Sequence, residues 1–306
     1  MDSKRPTLDD YARQYFETVA PDTVVHSTLL GYRSIYNAHW KRFGHRKITA
    51  IKPSELKIYL ASTGLKKKTR RHILSVLRLI FDEAVADGLL FPNPLANWKM
   101  RKDRETEFYE ADPYTLEERD ALLDWLETRE PIAWRYFLHG FYSGMRTGEL
   151  LGFPWKNYEP PFATIDQEVV RRDIRLYGKT DKRRKLLVPQ RLQDMLADCP
   201  TRGESAFVHV NTKGTMLRDA DYLMKWWRKA HAALRIRRRK VPYPWRATFV
   251  SQCMSSGIGI EDVARWIGNS PQMIRAHYHK YLPDDGRELE LLEQIEKATQ
   301  GSGIVE

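Results

Sequence analysis

Apolar residues recur at helical spacing through the first ninety positions of this 306-residue chain. Leu8, Tyr11, Tyr15 and Phe16 form a stripe that begins at Thr7-Leu8-Asp9-Asp10, where Thr7 suits a helix N-cap. A second helix is predicted over 27–43, with Leu29, Tyr32, Ile35 and Trp40 facing inward. Pro53 suits the first turn of a short third helix through Tyr59-Leu60. A fourth is predicted to be capped by Thr69, to bury Ile73, Val76, Leu77, Ile80, Phe81 and Ala84, and to end at Gly88. Together these predict a helical domain over 5–91.

The pattern breaks between Pro92 and Pro113, where prolines and the charged stretch Lys99–Glu107 read as a linker, 92–113. Thr115-Leu116-Glu117-Glu118 then has the form of a capping box, and helical periodicity continues through Phe141. Between Thr164 and Val188 the period shortens towards two. Ile165, Val169, Ile174 and Leu176 precede a charged turn, Tyr177 to Arg184, and Leu186-Leu187-Val188 follow it. That predicts a small β-sheet inside a second, mainly helical domain over 114–283. The last segment, 284–306, carries Leu289, Leu292 and Ile295 at helical spacing in an acidic run. The expected fold class is mainly α with a small β-sheet.

Charge changes the picture. The net charge is +11, and residues 1–100 hold 17 Lys/Arg against 9 Asp/Glu, so about +8 of it lies in the first third. Such asymmetry suits a polyanionic partner, because each neutralised phosphate releases condensed counterions. Lys66, Lys67, Lys68, Arg70 and Arg71 place five cations at one predicted helix start, where the helix dipole adds to their attraction for phosphate. Lys225, Arg228 and Lys229 form a basic face on a later helix, and Arg238 and Arg239 lie in a basic run after it. Cys199 and Cys253 are the only cysteines, which excludes a disulfide framework and fits a reducing cytoplasm. No apolar run approaches the roughly 18 residues of a membrane span, so no membrane partner is expected.

The candidate chemistry lies in four places. Ser143-Gly144-Met145-Arg146-Thr147-Gly148-Glu149 puts an arginine between glycines, three residues before a glutamate able to pair with it. Lys179 sits in the charged turn of the β-region. Tyr243-Pro244-Trp245-Arg246 opens an apolar helix. Ile267-Gly268-Asn269 is followed nine positions later by Tyr278, which is 32 after Arg246. Two separated arginines, a lysine and a late tyrosine are what a metal-free enzyme needs to cut DNA by attaching itself to a phosphate. No cofactor and no metal are expected.

In order and spacing these residues resemble the tyrosine recombinases, the phage-integrase family, over nearly the whole chain. The resemblance implies a helical core-binding domain, then a mixed α/β catalytic domain, the two forming a clamp around DNA. It places Arg146 and Arg246 on the two catalytic arginines, Glu149 on the supporting acidic residue, Lys179 on the hairpin lysine and Tyr278 on the nucleophile. Tyr243 and Asn269 stand where histidine, or histidine or tryptophan, is usual in the family, and Ala247 replaces a frequent second histidine. The implied activity is site-specific recombination of double-stranded DNA through a covalent 3′-phosphotyrosine, by a homotetramer that exchanges C-terminal segments. Relaxation of the type IB topoisomerase kind and sequence-specific DNA binding without cleavage are the alternatives. The physical logic is that guanidinium forks neutralise two non-bridging phosphate oxygens. Tyrosine, with a reference pKa of about 10, is a poor nucleophile until cations favour its phenolate.

Overall fold

Thr7 opens the first helix as its sequence suggests. Its hydroxyl accepts the Asp10 N–H at 3.3 Å, and the Asp10 carboxylate accepts the Thr7 N–H at 2.9 Å. The computed structural model describes residues 6–100, 112–177, 183–236 and 244–278. The chain divides into two compact units, Met1–Thr106 and Glu107–Glu306.

In the first unit α1 (Leu8–Gln14) runs through a wide turn into α2 (Ala20–Thr23), followed by α3 (His26–Ile35), α4 (Pro53–Ser62) and α5 (Lys67–Ala86). The helical path of α3 continues through a π turn and a 3-10 turn to Phe43, which completes the second predicted helix. Trp40 is fully buried and donates its indole N–H to the Ile73 carbonyl at 3.0 Å, tying that segment to α5. Two expectations need correction. Helix α5 begins at Lys67, with extended Lys66 at its N-cap, so Thr69 lies within the first turn. Lysine is a better helix former than threonine, and the run from 66 needs no hydroxyl cap to start. Residues 92–100, read as linker, are folded onto this unit. Leu95 is fully buried, Asn93 donates to the Asp82 carboxylate at 2.6 Å, and Arg78 donates to the carbonyls of Leu95 and Trp98. The prolines there shape a packed turn whose apolar anchors, Leu95 and Trp98, outweigh the local loop signal.

The second unit starts with α6 (Leu116–Glu127), capped reciprocally by Thr115 and Glu118, and continues through α7 (Pro131–Ser143) and α8 (Thr147–Leu151). Five short strands follow: β1 (Tyr158–Glu159), β2 (Phe162–Ile165), β3 (Gln167–Val170), β4 (Asp173–Leu176) and β5 (Arg184–Leu187). The helices α9 (Gln190–Ala197), α10 (Asp221–Ala233), α11 (Pro244–Ser255), α12 (Ile260–Ile267) and α13 (Pro271–Tyr278) complete it. The main core gathers Tyr136, Phe137, Phe141, Phe153, Trp227 and Trp245. Trp245 lies so close to α7 that a Cβ at Gly140 would stand 2.8 Å from its ring. Val250, Met254, Val263, Ile267 and Ile274 form a smaller core between α11, α12 and α13.

The predicted single sheet is two. A three-stranded antiparallel sheet has the order β1-β2-β5, and β3 and β4 form a separate hairpin. Every residue of β4 is exposed, so no apolar face recruits the hairpin into the larger sheet. Its two-residue turn, Arg171-Arg172, has φ of 51° and 74°. Two positive φ values are what a hairpin turn of matching twist requires, normally met by Asn-Gly. Non-glycine residues there cost on the order of 1 kcal/mol each.

His139 and His209 form a buried pair in this unit, Nδ1 to Nε2 at 3.0 Å. One neutral ring donates and the other accepts. Burial pushes His139 down to about 3, and burial with the neighbouring His139 and Arg135 pushes His209 well below the ordinary value. The folded state therefore binds fewer protons than the unfolded state below pH ~6.5, and stability is lost as pH falls through that value. Two such histidines cost about 2 kcal/mol between pH 6.5 and 5.5. Urea unfolding at the two pH values measures this, and equal stabilities would contradict a neutral pair.

Candidate active site

Glu149 organises the site. It lies in α8, immediately after the junction where Gly144 ends α7 in a left-handed conformation, and its side chain is 0% exposed. Oε1 accepts from Arg146 Nη1 at 2.9 Å, Arg184 Nη1 at 2.8 Å and the Tyr177 hydroxyl at 2.8 Å. Oε2 accepts from the Arg146 backbone N–H at 2.7 Å and Arg184 Nη2 at 2.6 Å. Burial alone would raise its pKa. The Arg184 hydrogen bonds and the charges of Arg184 and Arg146 overcome that and hold it at about 2. Tyr177, burdened by burial and by that carboxylate, is pushed up and stays a hydrogen-bond donor.

The end of α12 supplies the second half of the frame. The carbonyls of Trp266, Ile267 and Gly268 each accept from a different arginine: Arg184 Nε at 2.6 Å, Arg246 Nη2 at 2.6 Å and Arg146 Nη2 at 2.9 Å. Such carbonyls have no partner within the helix, and the dipole there favours cations. Gly268 closes the helix with φ of 65°, and its Cα packs where a Cβ would meet the Arg184 guanidinium at 3.1 Å. Arg246 also donates Nη1 to the Gly144 carbonyl at 2.8 Å, while its neighbour Trp245 donates to the Met145 carbonyl at 2.9 Å. The buried indole thus fixes where the following guanidinium stands.

The three arginines differ in what they have left to offer. Arg184 is 4% exposed and uses Nε, Nη1 and Nη2 on Glu149 and Trp266. Arg146 is 36% exposed and holds Glu149 and Gly268 through two of its five N–H groups. Arg246 likewise spends one bond from each terminal nitrogen on carbonyls. Burial pulls Arg246 down to about 9, helped by Arg146 and Arg184 and opposed by Glu149 and Tyr278. Three guanidinium groups thus surround one carboxylate, and the excess positive charge favours an anion. Tyr278 ends α13, half-buried against the small core and near enough to Arg246 to act on its charge. Asn269 follows Gly268, and its Oδ1 accepts the Ser270 N–H at 3.1 Å at the start of α13.

Arg146, Glu149, Arg246, Asn269 and Tyr278 are therefore gathered around the α12–α13 junction. Lys179 and Tyr243 lie outside the described residues, as do Arg238 and Arg239. Lys66, Lys67 and Lys68 are exposed at the start of α5, with Arg70 and Arg71 half-buried behind them. Lys225, Arg228 and Lys229 are exposed on α10, opposite buried Leu223, Trp227 and Ala230. Among the described residues no cluster of three or more His, Cys, Asp or Glu could hold a metal ion, and no helix is long and apolar enough to cross a membrane. Sequence reasoning missed Arg184 and Tyr177 by assigning the whole run to a turn. The signal was there for Arg184: it is in phase with buried Leu186 and Val188, at an inward position of β5.

No known protein-family profile matches the chain. Among curated proteins it is 24% identical to a XerC-like tyrosine recombinase of Caldanaerobacter subterraneus, covering 92% of this chain and 81% of that one. It is 25% identical to the integrase of Mycobacterium phage L5, over 69% of this chain and 58% of the integrase. A shorter match, 27% identical, links 40% of the chain to 32% of the ICEBs1 integrase of Bacillus subtilis. The chain is similar to tyrosine recombinases and integrases. It thus spans a third to somewhat over half of the length of two of these integrases. Solved structures share the fold. The Tn1549 transposon integrase, solved with a circular-intermediate DNA, aligns with TM-score 0.72 and 17% identity over 94% of this chain and 99% of that one. A lambda integrase tetramer on a Holliday junction aligns at 0.68 and 16% identity over 86% of this chain and 77% of that one.

Replacing Arg184 by methionine should leave the Glu149 charge buried and short of partners, at a cost of roughly 3–5 kcal/mol. Adding Glu149→Leu should recover roughly half of that in chemical denaturation. Additive losses would show that the two side chains do not act as a pair.

Proposed function

We propose that this chain is a site-specific DNA recombinase that cuts and rejoins strands through a covalent bond at Tyr278. The observation that carries this reading is the pair of part-satisfied guanidiniums, Arg146 and Arg246, held on one helix end that leads directly into the tyrosine's helix. A phosphodiester seated there would receive N–H donors on both non-bridging oxygens without reorganisation of the protein. Arg184 and Glu149 hold the frame and do not touch the substrate.

The Tyr278 oxygen attacks the phosphorus, its phenol proton is released, and the bond to the 5′ oxygen breaks. The product is a 3′-phosphotyrosine and a 5′-hydroxyl, the latter protonated by Lys179 of the charged run between Tyr177 and Arg184. Attack by the 5′-hydroxyl of a second strand reverses these steps and restores the phenol. The bond energy is conserved, so no ATP is needed, and the arginines supply the positive charge. Tyr243 and Asn269 donate hydrogen bonds to the phosphate. Tyrosine hydroxyl and carboxamide are poor bases at neutral pH, so neither is assigned the phenol proton.

DNA binding is assigned to both units. The exposed lysines at the start of α5, with Arg70 and Arg71, contact backbone phosphates, and the basic face of α10 with Arg238 and Arg239 meets the duplex beside the site. Assembly is a homotetramer on paired sites in the cytoplasm, bound to nucleoid DNA, with the 284–306 segment exchanged between neighbours. The tetrameric lambda integrase on its junction supports this assembly.

A nicked suicide substrate tests the chemistry. Incubated with genomic fragments, the wild-type protein should leave an SDS-resistant adduct, and Tyr278→Phe should abolish it with DNA binding nearly unchanged. Persistence of the adduct would remove Tyr278 from the nucleophile role. Arg246→Ala should slow adduct formation by roughly 10²–10³. Removing 284–306 should reduce strand exchange more than binding, and equal loss of both would refute segment exchange.

A further inference from the structure

Beside Arg146 an open groove of about 550 Å³ runs along the β3–β4 hairpin towards the start of α10. Four arginines line it: Arg146, Arg171, Arg172 and Arg218. Its carboxylates are Glu168, Asp219 and Asp221. Glu168 is already held by Arg175 at 2.6 Å and Asp219 by Arg172 at 2.7 Å. Arg218 donates to the Arg172 carbonyl at 3.0 Å and stands 4.0 Å from Asp173, which laces the hairpin tip to the segment before α10. Arg171 makes no ion pair among the described residues. Charged walls of this kind do not suit a compact apolar ligand.

The hairpin turn gives a second, independent observation. Arg171 and Arg172 both occupy left-handed backbone, φ 51° and 74°, where Asn-Gly would be at ease. Arginine at both positions accepts backbone strain to place two guanidiniums at the mouth of the groove. Strain retained against an easy alternative points to a role for the side chains.

We propose that this groove binds backbone phosphates of duplex DNA next to the phosphate held by Arg146 and Arg246, with Arg171 and Arg172 as the strand-guiding contacts. The strand would run from the reacting phosphate along the hairpin, its register fixed by the Arg172–Asp219 pair. The inference rests on the reading of the chain as a DNA recombinase, and it assigns no sequence readout to the hairpin, since phosphate contacts position a duplex without reading bases.

The test uses the full chain and a labelled duplex of random sequence. The double variant Arg171→Asn, Arg172→Gly gives the turn its preferred residues, so its melting temperature should equal or exceed that of the wild type. Its affinity should nevertheless fall roughly tenfold, and the slope of log K against log salt should flatten by about two, one for each lost phosphate contact. Arg171→Lys with Arg172→Lys keeps the charges and should keep the slope. An unchanged slope in the first variant, or a lower melting temperature, would overturn the proposal. Adduct formation at Tyr278 separates the two readings: an unchanged slope with adduct still formed removes only the groove. A flattened slope with no adduct in the wild type keeps the groove and removes the transesterification.

Discussion

Three successive carbonyl oxygens at the end of α12, on Trp266, Ile267 and Gly268, each accept a hydrogen bond from a different arginine, and the arrangement of the site depends on this. The arginines come from three distant stretches of sequence: the α7–α8 junction, the start of β5 and the first turn of α11. An eight-residue helix end has carbonyls that its own backbone cannot satisfy, so it is a natural meeting point for cations. Because α13 follows directly, the same carbonyls set the starting point of the helix that carries Tyr278. Shifts in α12 would move all three guanidiniums and the tyrosine together.

Glu149 divides the labour among these cations. Paired bidentately by Arg184 and bonded by Arg146 and Tyr177, it is one buried anion among three buried or half-buried cations. A desolvated ion pair is stabilised only when its geometry is good and further hydrogen bonds serve it, and Arg184 meets that with a bond from each of its three nitrogens. Arg146 and Arg246 each bond through their two terminal nitrogens, Arg146 to Glu149 and Gly268 and Arg246 to Gly144 and Ile267. Arg184 is thus the most fully engaged of the three, and the proposed roles of Arg146 and Arg246 draw on the N–H groups they have left.

Much of this was legible in the chain. Thr7 and Thr115 announced their helices, because reciprocal capping is a local property of four residues. Gly144 and Gly268, each inside a motif picked out in the sequence, are left-handed at the two helix ends where the arginines converge. Arg184 was not read, although its phase with Leu186 and Val188 marks an inward position. A buried arginine looks like an error in a strand until its partner is known, and that partner, Glu149, is 35 residues away. Thr69 and the 92–100 segment went wrong for the opposite reason. There the local signals, a hydroxyl and a pair of prolines, were strong, and packing of Leu95 and the helix preference of the lysines overrode them.

The electrostatics of the site make best sense with an anion added. Arg246 is held by burial and by two neighbouring cations at about 9, far below the ordinary arginine value, so its charge is stabilised incompletely by the protein alone. A phosphodiester between Arg146 and Arg246 would supply the missing negative charge and relieve that repulsion. The same phosphate would use the N–H groups that the carbonyls leave unspent. Local unfavourable arrangements that a ligand can relieve are expected at functional sites, where the cost is met by the rest of the fold. Here the compensation is visible in the Trp245 anchor and in the Glu149–Arg184 pair. They hold like charges together before the substrate arrives, so binding energy need not be spent on assembling them.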